Sequence, residues 1–369
     1  MDSTESSRPD PAAGVAAGVG AGSGGARRRE PSMEDVARAA GVSGQTVSRV
    51  VNARGYVGAA TRAKVEAVMV ELGYRPNSAA RALRSGRFRA IGVIMFTLAP
   101  YGNHRTLDAI AVRAAQAGYA LTLIPVEAGN LSTVNGAFHR LAEHAVDGII
   151  ILIEAHQLDG SEIEIPRGLP IVVIDSNKRL PHPFVDNDQA LGARQATDHL
   201  LALGHRTVWH VAGPDSSYAA SRRRDAWKAA LEEHGAEVPA ALVGDWSAAS
   251  GYAAGKRLAA RDDVTAVFAA NDGMAVGVLR ALHEAGRRVP EDVSVVGFDD
   301  SSDAGYVWPP LTTVRQHFEE VGALAVDALI AELDGATGGS EGSGSGLPDV
   351  QLIPTELVVR ASTAAPARR

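Results

Sequence analysis

Residues 33–52 read MEDVARAAGVSGQTVSRVVN, and their spacing predicts two short helices joined by a tight turn. Ser32 can cap the first helix, and Asp35 three residues on completes a capping box. Val36, Ala37 and Ala40 share one face of it. Gly41 ends it, because a residue without Cβ tolerates a left-handed C-cap. Ser43 caps a second helix, with Val47, Val50 and Val51 inward and Gln45, Thr46, Ser48 and Arg49 outward. That outward face carries the chemistry of a DNA reader. Gln offers a donor and an acceptor to adenine and Arg a fork to guanine, while small hydroxyls reach phosphates. The same pattern also suits a helical hairpin that only packs, with its polar face in water.

A polar loop at 52–55 leads to a third helix at about 59–72, with Val65, Val68, Met69 and Leu72 at i, i+3, i+4, i+7. Gly58 is a weak cap at its start, and Gly73 stands where a C-cap glycine should. Residues 74–87 follow as YRPNSAARALRSGR. Pro76 and Asn77 start a short helix in which Leu83 is the large apolar residue, surrounded by arginines. So little apolar surface cannot hold a helix by itself. An isolated Leu on a basic helix is the form of a minor-groove wedge, and equally of a plain exposed Leu.

From Ala90 the pattern becomes strand–helix alternation. Strands AIGVIMF, ALTLIPV, VDGIIILI and LPIVVID, with helices at about 103–117 and up to His144, make a first set that ends with Asp175 at a strand tip. A second set begins near Asp188. Its helices are expected at 189–203, 217–234, 250–260 and 272–285, and its strands at TVWHVAG, near 241–244, at TAVFAA and at VSVVGFD. Alternation of this kind demands parallel sheet covered by helices on both faces. Two sets in tandem predict two doubly wound lobes, with ligand bound beyond the carboxyl ends of the strands, in the cleft between them. TTVRQHFEEVGALAVDALIAEL should cross back and add a helix to the first lobe. GATGGSEGSGSG is expected as a flexible loop and VQLIPTELVVR as a last strand of the second lobe.

Charge is unevenly placed. Residues 31–90 hold 10 Lys+Arg against 4 Asp+Glu, residues 91–369 hold 22 against 35, and the whole chain carries −7. A basic small domain on an acidic large one suggests a nucleic-acid reader carrying a separate body. The 369 residues suffice for two or three domains, and 46% hydrophobic composition supplies a core. The absence of cysteine excludes disulfides and thiolate metal sites and fits a reducing cytoplasm. No 18-residue apolar run offers a membrane span. Residues 1–30, rich in Ala, Gly, Ser and Pro, are expected to be disordered, and Met33 is a possible true start. No nucleophile–base constellation, phosphate-binding loop or metal motif is present, so neither enzyme nor cofactor is expected.

AGVSGQTVSRVVN followed by TRAKVEAVMVELGYRPNSAARALRSG resembles the DNA-binding headpiece and hinge of the lactose-repressor (LacI) family. The likeness runs on to about residue 357 through LGHRTVWHVAGP, GDWSAASGY, ANDGMAVGVLRAL, PEDVSVVGFDD and PPLTTVRQHF. It implies an α/β chain with an all-α helix–turn–helix headpiece (31–76), a hinge helix and linker (77–89), and a two-lobed, periplasmic-binding-protein-like core of doubly wound parallel sheets. The lobes would be 90–187 plus 317–346, and 188–316 plus 347–363. The implied DNA contacts are Ser43, Gly44, Gln45, Thr46, Ser48, Arg49, Asn52, Tyr74, Asn77, Ala80 and Leu83. The implied effector contacts are Asp175, Arg223, Trp246, Asn271 and Asp299, with Phe318 as an apolar wall and Gln316 beside it. Asp and Arg suit pairs of sugar hydroxyls, and Trp246 offers a flat surface to a ring face. Leu98 and Pro100 lie in a segment that departs from the family pattern, and Gly44 stands where the family's namesake has a tyrosine.

The partners expected from the resemblance are operator double-stranded DNA, a sugar effector such as a β-galactoside, and a second copy of the chain. The end of the chain lacks the heptads that make tetramers, which argues for a homodimer. A purine- or nucleoside-responsive regulator of the same fold is the alternative, but the polar set around Trp246 favours sugar. A transport receptor shares the two-lobed fold, yet would need an export signal and no headpiece. Several site residues also have plainer readings: Asn271 could cap a helix, Trp246 could be core, Asp300 is the better capper beside Asp299, and Arg222 and Arg224 would face solvent. His199, His205 and His210 read as structural.

Overall fold

The computed structural model describes residues 31–52, 55–75, 86–98, 100–126, 131–143, 145–152, 168–174, 182–337 and 350–367. The chain divides into two compact units, residues 1–78 and 79–369.

The first unit holds α1 (Met33–Ala40), α2 (Gly44–Val51) and α3 (Ala59–Leu72). The capping box forms as expected: Ser32 Oγ accepts from the Asp35 N–H, and the Asp35 carboxylate accepts from the Ser32 N–H at 2.9 Å. Gly41 and Gly73 adopt φ of 63° and 64° at the two C-caps. Gly58 gives α3 no side-chain cap. Val36, Ala40, Val47 and Val65 are fully buried together, so three short helices close one small core.

The second unit contains two six-stranded sheets. The first comprises β1 (Ala90–Met95), β2 (Ala120–Pro125), β3 (Gly148–Leu152), β4 (Ile171–Ile174), β5 (Phe184–Asn187) and β11 (Val350–Ile353), in the order β11-β5-β4-β3-β1-β2. The second comprises β6 (Trp209–Ala212), β7 (Leu242–Val243), β8 (Ala266–Ala269), β9 (Ser294–Asp299), β10 (Thr312–Arg315) and β12 (Glu356–Val358), in the order β12-β10-β9-β8-β6-β7. All these pairings are parallel except β10 with β12. Strands such as β3 and β8 are buried along their whole length, as strands covered on both faces must be.

Helices α4 (Tyr101–Gln116), α5 (Leu131–Glu143) and α10 (Phe318–Thr337) cover the first sheet. Helices α6 (Gln189–Ala202), α7 (Tyr218–Glu233), α8 (Ala248–Ala259) and α9 (Asp272–Glu284) cover the second. α8 and α9 cross backbone to backbone. A Cβ on Gly251 or Gly277 would run into the backbone of the facing helix, at Met274 and Ala248 respectively.

Two expectations need correction. VQLIPTELVVR is not one strand of the second lobe: Val350–Ile353 adds to the first sheet beside β5, and only Glu356–Val358 joins the second. Pro354 separates them, since it has no N–H for a ladder. The expected span 347–363 is therefore shared between the lobes. The strand FVDN at 184–187 was also not foreseen, because Asp and Asn are poor strand formers. The chain thus passes between lobes three times, at 187–189, 315–318 and 353–356. Of the expected loop 335–346, Gly335, Ala336 and Thr337 instead continue α10, and residues 338–346, like the tail 1–30, lie outside the described residues. No described helix is long and apolar enough to cross a membrane.

Candidate functional site

On the headpiece, the side chains of α2 divide as its pattern requires. Val47 and Val50 are buried, Gly44, Gln45 and Arg49 are exposed, and Thr46 and Ser48 are half-buried. Ser43, also exposed, caps the helix by accepting from the Thr46 N–H at 3.2 Å. Asn52 turns back along the helix and donates to the Ser48 carbonyl at 2.6 Å. Tyr74 packs half-buried against the headpiece core. Asn77, Ala80 and Leu83, with the whole expected hinge helix, lie outside the described residues.

In the second unit, the carboxyl ends of the strands open on a cavity of about 60 Å³. Pro100, Asn103, Thr106, Leu152 and Ile174 line it from the first lobe, and Arg223, Trp246, Asn271 and Asp299 from the second. Asp186, Asn187, Gln189, Gln316 and Phe318 line it where the chain crosses. The structure therefore brings together six of the seven expected effector residues. The seventh, Asp175, lies outside the described residues.

Arg223 stands in the second turn of α7, buried at 4% exposure. Its Nε donates to Gln189 Oε1 at 2.9 Å and its Nη1 to the Ala270 carbonyl. Its guanidinium carbon sits 3.8 Å from the Phe298 ring centroid and 5.4 Å from that of Trp246. The planar cation is thus fixed by stacking as well as by hydrogen bonds. Asp299 Oδ1 lies 3.9 Å from Nη1, beyond hydrogen-bond reach, and accepts instead from Gln316 Nε2 at 2.7 Å. Burial pushes the Asp299 carboxyl well above the usual carboxylate range, against the pull of the Arg223 charge and with the help of the Asp272 charge.

Trp246 and Asp299 hold the rare φ values 72° and 118°. For residues with a Cβ these cost about 1–3 kcal/mol each, and such outliers gather at functional sites. Neighbours fix both. Asn271 Nδ2 donates to the Trp246 carbonyl at 3.0 Å, and the indole packs against Gly213, where a Cβ would collide with it. The indole N–H is buried with no acceptor among the described residues. Asp272, itself buried, accepts from Thr313 Oγ1 at 2.5 Å and from the Ser301 N–H at 2.7 Å, pinning the turn that carries Asp299.

Each plainer reading meets a definite outcome. Asn271 does cap α9, accepting from the Met274 N–H at 2.9 Å, and lines the cavity at the same time. Asp300 caps nothing: it pairs with Arg315 Nε at 2.7 Å and Arg360 Nη2 at 2.6 Å. Arg222 does not simply face solvent, for it reaches buried Asp186 at 2.7 Å. Arg224 pairs with Asp215 at 2.5 Å near the surface. Leu98 is exposed while Pro100 lines the cavity. His205 bonds Thr265 and the Ala364 carbonyl, and His199 bonds Thr363. His210 is enclosed between Phe268 and Trp227, and burial pushes its pKa down to about 4. No group of described residues could hold a metal ion.

Sequence reasoning missed Asp186, Asn187 and Gln189. Gln189 Nε2 donates to Asp186 Oδ1 at 3.3 Å and to Gln316 Oε1 at 2.9 Å, and its Oε1 receives Arg223. Asn187 Oδ1 accepts from the His317 N–H at 2.8 Å. A run of hydrogen bonds therefore joins two of the crossings to the Arg223–Asp299 pair. Its signal in the sequence was the polar VDNDQ run immediately before a helix.

Comparison with known proteins follows the same division. Residues 32–77 match the model of bacterial regulatory proteins of the lacI family, and residues 197–363 match a periplasmic binding protein-like domain. The chain is 37% identical to the lactose operon repressor of Escherichia coli (strain K12), covering 91% of each. It is 37% identical to the HTH-type transcriptional regulator CelR of Thermobifida fusca, covering 84% of this chain and 94% of that one. Its structure resembles that of the Lac repressor dimer bound to operator and the anti-inducer ONPF, with a TM-score of 0.81, 36% identity, and 91% and 100% of the two chains covered. It also resembles the CelR–cellobiose complex, with a TM-score of 0.66, 33% identity, and 90% and 99% covered. A helix–turn–helix reader joined to a two-lobed binding body, matched over nine-tenths of its length by such relatives, makes this chain a member of the lacI family of bacterial regulatory proteins.

Proposed function

We propose that the protein is a transcriptional repressor of carbohydrate-use genes, released from its operator by a sugar bound between the lobes of its core. One observation carries this reading. A single cavity gathers a stacked guanidinium, a buried carboxylate, an amide and an indole face, the set that hydroxyl pairs and one apolar ring face require. Trp246 and Phe318, the cavity's two aromatics among the described residues, would serve a purine as well, so the reading rests on the polar partners around them, Asp186, Asn187, Gln189, Arg223, Asn271 and Asp299. A β-galactoside is the first candidate, from the likeness to the lactose operon repressor, and cellobiose the second, from the likeness to CelR. The protein has no enzymatic role in this reading and acts in the cytoplasm.

The exposed Gln45 and Arg49 read base edges, and Ser43, Thr46 and Ser48 contact phosphates. Two copies of the chain read a near-palindromic site, because a two-fold protein matches a two-fold operator. The sugar binds one arrangement of the lobes better than the other and so shifts the population away from the DNA-competent state. The test is a gel-shift titration of the operator complex with galactosides, cellobiose, ribose and nucleosides. Release by a sugar is expected. Release by nucleosides alone, or by none of the set, would overturn the sugar reading.

A further inference from the structure

Two elements of the first lobe run from the cavity to the chain segment that enters the core from the headpiece side. Helix α10 begins at the cavity, where Phe318 and Val321 line it. Sixteen residues on, about 24 Å along the axis, its far end receives Arg87. Arg87 Nη1 donates to Asp334 Oδ1 and Nη2 to the Leu333 carbonyl, both at 2.8 Å. Strand β3 likewise ends at the cavity with Leu152. At its other end the Asp147 carboxylate gathers three consecutive N–H groups: Phe88 at 2.7 Å, Arg89 at 2.6 Å and Ala90 at 3.3 Å. The segment so held is itself unusual, with Arg89 at φ 57°.

α10 cannot slide freely under its neighbours. A Cβ on Gly322 would collide with Ala109 of α4, and Arg105–Glu319 and Arg113–Asp327 pairs tie α4 to α10. A displacement at Phe318 would therefore move α10 and α4 together, and so reach Leu333 and Asp334. We propose that Arg87 is the positioning residue that passes the state of the cavity to the linker, with Asp147 as the fixed point against which it acts. The inference rests on the effector-and-operator reading above and adds to it a route through named atoms.

The experiment is a double-mutant cycle on operator affinity in the full-length protein. The DNA is a duplex selected by the unaltered protein from a random-sequence pool. Phe318→Ala alters the cavity end, Arg87→Ala the linker end, and the pair is compared with the singles by fluorescence anisotropy. Sites this far apart ordinarily act independently, so a coupling of about threefold or more in Kd is the expected result and anything smaller overturns the proposal. Should Arg87→Ala fail to fold, Asp334→Ala at the exposed helix end serves in the same cycle. A melting point lowered by Arg87→Ala with additive affinities would mark a mere brace, and also overturns it. The cycle uses no sugar, so failure of every sugar to release DNA would sink the effector reading and leave the cycle to judge the route. Failure to select any duplex would sink the DNA-reading function and this proposal with it.

Discussion

The Arg223 guanidinium and the Asp299 carboxylate face one another 3.9 Å apart, each hydrogen-bonded to a different glutamine, Gln189 and Gln316, which are themselves bonded together. The pair is close enough to feel each other's charge and too far apart to saturate each other. On the proposed reading, a polar guest would meet both. Arg223→Lys should weaken sugar binding by at least tenfold, because an ammonium loses both the fork and the stack on Phe298. Isothermal titration with the sugar that releases DNA checks this, and an unchanged Kd would remove Arg223 from the site.

Asp299 carries a cost that its neutral counterpart would not. Its folded pKa is raised by burial, so the native state holds a proton that the unfolded chain releases first. The stability this confers is present below the ordinary carboxylate range and is lost as pH rises through the raised value. Asp299→Asn should therefore gain on the unaltered protein in Tm as pH rises from 5 to 8, while binding sugar poorly. Parallel melting curves across that range would contradict the assignment.

His210 works in the opposite sense. Burial holds its pKa at about 4, so the unfolded chain takes up a proton, near its ordinary pKa, that the native state refuses. Stability is full above the ordinary histidine range and falls as pH drops toward 4, with a slope of up to about 1.4 kcal/mol per pH unit. Chemical denaturation of His210→Phe, which keeps a ring against Phe268, should lack that part of the acid dependence.

The reading helix should separate from the headpiece fold. Gln45→Ala and Arg49→Ala remove exposed side chains and should leave the thermal unfolding of the headpiece unchanged. Each should cost about 1–3 kcal/mol against the selected operator and relax preference at one base pair. Uniform weakening on every sequence would reassign the residue to a phosphate.

At the α8–α9 crossing the expected effect is steric. Gly277→Ala would press a methyl on the Ala248 carbonyl, and backbone cannot step aside as a flexible side chain can. A loss of about 1–3 kcal/mol in denaturant unfolding is expected. No loss would mean that the two helices part more easily than their packing suggests.

Much of this was readable from residues alone. The caps at Ser32, Gly41, Ser43 and Gly73, and the alternation that makes two parallel sheets, are local signals that tertiary structure had no reason to overrule. What escaped were the places where distant segments meet. Val350–Ile353 reads as continuous with the strand after it, and which sheet takes it depends on β5, about 165 residues earlier. Gln189 looks like any polar residue at a helix start until Gln316 and Arg223 arrive beside it. Arg222 looks like a surface arginine because the sequence does not reveal that Asp186 lies beneath it.

The late arrival of β11 and β12 bears on how the protein is born. The last headpiece helix ends at Leu72, whereas the two sheets wait for strands that end at Ile353 and Val358. Domains tend to fold as units during synthesis, amino-terminal first. The nascent chain thus completes its headpiece well before either lobe of the core can close around the cavity.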